Sequence, residues 1–586
     1  MCFSILAVAA LIGVAPSAAP CAGRAPGRPN VVLIVTDDQG YGDFGATGNE
    51  VIETPSIDAM AARSASFANF YVSPVCAPTR ASLMTGRYNY RTRVIDTYLG
   101  RAMMEPDEIT VAELLSAAGY ATGIFGKWHL GDNYPMRPMD QGFHESLVHR
   151  GGGLAQPSEP PENQGRYTNP ILFRNGRQVE TEGYCTDVYF DAALDFIQRA
   201  HADGRNFFTY IATNAPHGPF DDVPPALLEH YRIKDLSGLF TDSLSGKRLA
   251  DETETLARIA AMITNIDENV GRLLRKLDGL GIANETLVMF MIDNGPSTPR
   301  YVRGLRGMKG TVYEGGIRSP LWLHWPGRLA AGRIGDQVAA HIDVMPTILD
   351  ACQVPPPENL RLDGRSLLPI LERDDVEWPE RNIVIQSHRG DVPVLYHNFM
   401  IRDARWKLVH AGGFGRESFE GQPKFELYDL QTDPGEKTNL AAANPEIVAR
   451  LKASYDDWFT DVSTTRPDNY RPPRIRIGTP HEEPTVLTRQ DWRGGTWDRD
   501  SIGHWELDVA TGSDCDITVF FEASGTAETA HLSIAGNDLR QEVAAGDNSC
   551  EFSAVPLRQG ATRLAVKLDA SGKSRGAHQV VVTGRK

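Results

Sequence analysis

Apolar residues arrive in two rhythms over the first 350 positions. Asn30-Val31-Val32-Leu33-Ile34-Val35-Thr36 is an unbroken, β-branched run, which predicts a strand buried on both faces of a parallel sheet. It ends at once in Asp37-Asp38-Gln39-Gly40, and the same syntax returns at Thr286 to Ile292, which runs into Asp293-Asn294-Gly295. Ala121 to Phe125 before Gly126-Lys127-Trp128-His129, and Phe207 to Ala212 before Asn214-Ala215-Pro216-His217, read the same way. Between them Ile259, Met262, Ile263, Ile266, Val270, Leu273, Leu274 and Leu277 recur at helical spacing, and Val111, Leu114 and Leu115 do so more briefly. Strand then helix, repeated, predicts an α/β fold: a large mixed, mostly parallel sheet flanked by helices. Ligands of such sheets gather at the carboxyl ends of the strands, where all four polar clusters fall.

After about residue 375 the rhythm shortens. Residues 383–386, 399–402, 406–409 and 426–430 predict short antiparallel strands, and a helix follows near 445–460. Prolines and arginines over 466–484 predict a linker. Beyond it, alternation at Ile517/Val519/Phe521, Leu532/Ile534 and Leu564/Val566/Leu568 predicts a β-sandwich. The expected order is therefore a catalytic α/β domain over 27–375, a small antiparallel α+β subdomain over 376–465, the linker, and an all-β sandwich over 485–586. Trp492, Trp497 and Trp505 are expected in the sandwich core or against the catalytic domain, a stacking platform for sugar rings being the alternative.

Composition changes the picture modestly. A chain of 586 residues with 41% hydrophobic content buries large cores, and a formal net charge of -16 with no basic block argues against nucleic acid as partner. Phe3 to Val14 is too short to span a bilayer and precedes small residues, so 1–22 reads as a signal peptide; no other stretch predicts a transmembrane segment, and the expected location is periplasmic or extracellular. Of the 7 cysteines, Cys515 and Cys550 share the late β-rich segment and are expected to pair, reduced core cysteines being the alternative.

The densest chemistry is Cys76-Ala77-Pro78-Thr79-Arg80, continuing as Ala81-Ser82-Leu83-Met84-Thr85-Gly86-Arg87. A C-x-P-x-R order arises by chance in roughly two of every hundred chains this long. Pro78 presets a first helical turn, where free amides favour an anion, and Arg80 four residues on shares the face of residue 76. Here the chain resembles the type I sulfatases of the alkaline phosphatase superfamily, and Glu426-Leu427-Tyr428-Asp429-Leu430 with Asp433-Pro434-Gly435 resembles their C-terminal subdomain. The resemblance implies oxidation of Cys76 to formylglycine by a separate maturating enzyme. The hydrated aldehyde attacks sulfur through one hydroxyl and expels sulfate through the other.

Asp37-Asp38 and Asp293-Asn294 offer oxygen ligands and no soft donors, a set suited to Ca2+, with Mg2+ second, and the resemblance implies that Cys76, once oxidised to formylglycine, adds an oxygen to the metal. Turn-forming aspartates are the alternative for either pair alone. Lys127 and His129 alternate along an extended segment, so both face one side. The resemblance implies that Arg80 holds the nucleophile, that Lys127 and Lys309 bind sulfate, that His129 is the base of the release step, and that His217 meets the bridging oxygen and protonates the departing alkoxide. No role is carried onto His149-Arg150-Gly151-Gly152-Gly153. Arg300, Arg303 and Arg306 read as solvated loop arginines, and Arg389-Gly390-Asp391 as a turn.

The expected activity is hydrolysis of sulfate monoesters on a sulfated polysaccharide or its oligosaccharides. A phosphonate monoester or phosphodiester hydrolase of the same superfamily is one alternative. A non-catalytic glycan-binding protein is another, and it predicts gaps among the catalytic positions.

Overall fold

The computed structural model describes residues 27–241, 246–570 and 572–585; the expected signal peptide, with Cys2 and Cys21, lies outside them. Among the described residues the main sheet contains β1 (Asn30–Thr36), β2 (Ala65–Tyr71), β3 (Ala121–Lys127), β4 (Glu145–His149), β5 (Ile171–Arg174), β6 (Arg177–Glu180), β7 (Phe207–Ala212), β8 (Thr286–Ile292), β9 (Leu321–His324) and β10 (Ile334–Ala340). Their order is β10-β2-β9-β8-β1-β7-β3-β4-β5-β6. β1 pairs in parallel with β7 and β8, and β3 with β7 and β4, while β9 runs antiparallel to β2 and β8.

β1 is buried along its whole length, and its side chains alternate between two cores. Val31, Leu33 and Val35 join the cluster that holds Ala77, Ala81, Leu83 and Met84 of the Cys76–Thr85 helix; Val32 and Ile34 join the one that holds Ile259 and Ile263 of the Gly246–Gly279 helix. This is the mixed, helix-flanked sheet that the apolar runs predict. One hairpin escapes that reading: β5 and β6 turn through Asn175 and Gly176 at φ 48° and 80°, the left-handed pair of a tight hairpin turn.

The 383–429 region forms a second sheet of β11 (Ile383–Gln386), β12 (Phe399–Arg402), β13 (Trp406–His410) and β14 (Glu426–Asp429), all antiparallel, under the Pro445–Ser463 helix. Buried Lys407 of β13 ties this sheet to the main α/β body through Glu314 at 2.9 Å, and pairs within its own region with Glu436 at 2.8 Å.

The last hundred residues are two facing sheets around one core, in which Trp505 and Leu507 from one meet Ile517, Val519 and Val580 from the other. The 466–484 stretch is not a free tether: Ile475–Ile477 pairs in parallel with His504–Val509, because Ile475 and Ile477 complete that core. Cys515 and Cys550 are unpaired thiols, which corrects the expected bridge. In the antiparallel register Cys515 faces Val555 and Cys550 faces Val519, so the two thiols lie about 13 Å apart along the strands, beyond disulfide reach. Trp492 and Trp505 are fully buried with ring centroids 5.8 Å apart, and Trp497 stands edge-on to Tyr98 at 5.4 Å, so these rings form packing and no exposed platform. Among the described residues no helix is long and apolar enough to cross a membrane.

Candidate active site

β1, β3, β7 and β8 deliver their polar ends to one edge of the sheet, as parallel strands must. Cys76 joins them at the start of a helix that is buried throughout. Ligating atoms of Asp37, Cys76 and Asp293 lie within 4.8 Å of one another, and so do those of Asp37, Asp38 and His217. The helix is fixed to β8 by Thr79, whose hydroxyl donates to the Asp293 carbonyl at 2.7 Å.

Arg80 is fully buried and forks onto Asp293 Oδ2, Nε at 3.1 Å and Nη2 at 2.7 Å, while Nη1 donates to the Lys127 carbonyl at 3.0 Å. It therefore couples two of the four strand ends, those of β3 and β8, to residue 76. Lys127 Nζ lies 2.5 Å from Asp37 Oδ2, and Lys309 Nζ 2.6 Å from Asp38 Oδ1. The Lys309 loop is placed by its backbone: Lys309 N donates to Pro296 O at 3.0 Å and Gly310 N to Pro74 O at 2.8 Å, beside Asp293 and Cys76 respectively. Three carboxylates thus meet three cations. Both lysines stand within reach of an anion at residue 76, but each is held by an aspartate.

The donor set fits a hard divalent cation. Asp37 Oδ1 and Asn294 Oδ1 are buried with no hydrogen-bond partner, and the carboxylates of Asp38 and Asp293 complete a group of oxygen donors around residue 76. Asp38 adopts φ 58°, a strained left-handed conformation for a residue other than glycine, and Asn294 Nδ2 donates to it at 2.8 Å.

Electrostatics sort these groups. Burial pushes the Cys76 thiol up in spite of Lys127 and Lys309, so the unmodified side chain is held as a neutral thiol, a poor nucleophile. Burial and the neighbouring Asp37 raise Asp293 to about 6 despite Arg80, which poises it as a proton acceptor near neutrality. Burial disfavours charge on Asp38, yet Lys309 and His217 hold it well below the usual carboxylate range.

The two histidines sit differently. His217 Nδ1 lies 2.6 Å from Gly218 O, which leaves Nε2 facing Asp38 Oδ2 at 3.7 Å; burial lowers the ring to about 4 against the pull of Asp38. His129 does not alternate with Lys127 along an extended strand as expected. β3 ends at Lys127, and His129 takes φ 60°, which swings the ring so that Nε2 lies 2.7 Å from Thr97 O. Its Nδ1 is buried without a partner, and burial with Lys127 holds the ring well below its ordinary value.

The structure brings together every predicted position: Cys76, Arg80, Lys127, His129, His217, Lys309, Asp37, Asp38, Asp293 and Asn294. Arg300 is no solvated arginine but is buried, donating to Asp43 at 2.7 Å and to Asp38 O at 2.9 Å, which braces the Asp37-Asp38 turn. Arg303 is exposed, and Arg306 packs over Tyr313 at 3.7 Å. Sequence reasoning missed Thr97, which carries no motif, and the glycines whose run it noted without assigning. A Cβ on Gly152 would fall 2.4 Å from His129 Cε1, and one on Gly153 3.4 Å from His217.

Residues 29–354 match the family model described as Sulfatase, and residues 308–458 match N-sulphoglucosamine sulphohydrolase, C-terminal. The chain belongs to the sulfatase family. Human arylsulfatase A is 33% identical over 474 residues, covering 74% of this chain and 88% of that protein. The N-acetylgalactosamine-6-sulfatase of Canis lupus familiaris is 35% identical over 478 residues, covering 74% and 85%. Among solved structures, Ps i-CgsB in complex with k-i-k-neocarrahexaose superposes with a TM-score of 0.62 at 27% identity, covering 75% of this chain and 94% of that one. This sulfatase is a sulfuric ester hydrolase of the arylsulfatase-like branch of the alkaline phosphatase superfamily.

Proposed function

We propose that this sulfatase removes sulfate monoesters from a sulfated polysaccharide or its oligosaccharides outside the cytoplasm, after a maturating enzyme has converted Cys76 to formylglycine. One observation carries the reading: residue 76 stands at a helix start among Asp37, Asp293, Lys127 and Lys309, in a setting that disables it as a thiolate. Glycan substrates are supported by the relatives, an N-acetylgalactosamine-6-sulfatase and a protein crystallised with neocarrahexaose.

Asp37, Asp38, Asp293 and Asn294 would hold Ca2+, or Mg2+, which when bound supplies Lewis acidity toward a sulfate oxygen and lowers the pKa of the nucleophile. Formylglycine, as its hydrate, supplies one hydroxyl for attack on sulfur and a second for release of sulfate. Arg80 keeps residue 76 and Asp293 in register. Asp293, raised toward neutrality, accepts the nucleophile's proton. Lys127 and Lys309 turn from their aspartates to the ester sulfate, and the anion bound beside His217 Nε2 raises that ring's proton affinity so that it protonates the departing alkoxide. His129, neutral in its pocket, takes the proton of the second hydroxyl.

The test is the mass of the residue-76 peptide from the native producer. Replacing CH2SH by CHO lowers it by about 18 Da; an unmodified cysteine overturns the mechanism. Rates on nitrophenyl sulfate and on a phosphodiester analogue separate the sulfatase from the phosphorus-directed alternative, and turnover of the phosphodiester alone overturns the substrate class.

A further inference from the structure

We infer that the C-terminal sandwich is a working part of the active site: its Gln490–Arg493 segment positions His129 by clamping the two loops against which the imidazole rests. The inference rests on the proposed role of His129 and extends it to a domain that neither family match reaches.

The first loop carries Thr97, whose carbonyl lies 2.7 Å from His129 Nε2. Three residues on, Gly100 is held through both its N–H and its carbonyl by the sandwich. Gly100 N donates to Gln490 O at 2.8 Å, and Arg493 Nη2 donates to Gly100 O at 2.5 Å. Only glycine permits that approach, since φ is 72° and a Cβ would lie 2.7 Å from Arg493 Nε. On either side of Gly100 the loop is buried in the sandwich: Leu99 and Met103 belong to its core, and Tyr98 meets Trp497. Arg493 also pairs with Asp391, and Arg389 holds Asp96 and, at 3.1 Å, Thr97 Oγ1, so the Arg389-Gly390-Asp391 bend is tied down at both ends by ion pairs.

The second loop is Gly151–Gly153. Gly152 leaves no room for a side chain beside the imidazole, Gly151 N donates to Asp132 at 2.9 Å, and the Gln490 amide lies 3.2 Å from where a Gly151 Cβ would be. One tetrapeptide of the sandwich therefore touches both walls of the His129 pocket. Because Arg493 and Gln490 act through the loops, they are positioning residues.

The test is a double-mutant cycle in the full-length protein. Arg493→Ala should lower kcat on nitrophenyl sulfate at least about tenfold with little change in KM, and it should do nothing further in a His129→Ala background. Arg493→Lys should recover part of the loss. Trp497→Ala, at the edge of the clamp, gives the same cycle if Arg493→Ala fails to fold. Independently of turnover, exchange of the Gly100 amide should speed up about tenfold in Arg493→Ala. A loss of equal size in both backgrounds, or an unchanged Gly100 amide, overturns the clamp and leaves the role of His129 standing. Wild-type kcat in His129→Ala alone overturns the catalytic reading of His129 first, and the clamp with it.

Discussion

Gly152→Ala isolates the placement of His129 from its chemistry. The glycine's backbone lies outside the left-handed region, so alanine introduces no φ strain, and its cost is the methyl group alone. That methyl would sit 2.4 Å from Cε1 and 2.6 Å from Nε2 of the imidazole, whereas ordinary contact begins near 3.4 Å, so the ring must retreat by about 1 Å. Retreat loosens the 2.7 Å contact between Nε2 and Thr97 O. Overpacking of this kind costs about 1–3 kcal/mol of stability, which leaves a protein of this size folded. A displacement of 1 Å at a reacting group costs about a hundredfold in rate, so kcat on nitrophenyl sulfate should fall by about that factor while KM stays within a few-fold. Gly153→Ala is the control: its methyl would stand 3.4 Å from Asn214 Oδ1 and from the His217 ring, ordinary van der Waals distance, and kcat should stay within a few-fold of wild type. Steady-state kinetics on both variants, with unfolding curves to establish the folded fraction, decide the matter. Wild-type kcat in a folded Gly152→Ala protein would refute the argument that the position of this ring matters to turnover.

Arg80→Lys keeps a charge but loses the fork onto Asp293 and the bond to Lys127 O; in a pair with no solvent exposure this should cost about 2–3 kcal/mol and lower kcat, and an unchanged guanidinium midpoint would contradict it. Glu159 is raised by burial to about 8, so its carboxyl holds a proton more tightly folded than unfolded. Its stabilising contribution is full below about pH 4.5 and is lost as pH rises through 8. Glu159→Gln should therefore flatten the decline in urea midpoint between pH 5 and pH 8, by on the order of a few kcal/mol at most, and parallel profiles for the two proteins would sink the assignment.

The parallel core was legible because strands buried on both faces leave a run with no polar interruption, and β1, β7 and β8 begin and end where the runs do. The clustering of the candidate site was legible for a related reason: parallel strands send their ends to one edge, so motifs far apart in sequence had to converge. What stayed hidden depends on contacts that no local pattern encodes. Ile475–Ile477 is three residues amid prolines, too short for a period, and becomes a strand only because an open edge and a core await it. Cys515 and Cys550 share adjacent strands, but register, which sequence spacing does not fix, sets them four positions apart. His129 follows a strand that ends two residues earlier than alternation implies; its left-handed backbone is favoured by the company of Thr97 and Gly152, residues 32 positions before it and 23 after. Thr97 is the extreme case. Its carbonyl belongs to the backbone, which every residue possesses, so nothing in its identity marks it, and its loop is bonded at Gly100 to residues almost four hundred positions downstream. A candidate side chain such as His129 can thus be named from a motif while its orientation depends on folding partners the motif never mentions.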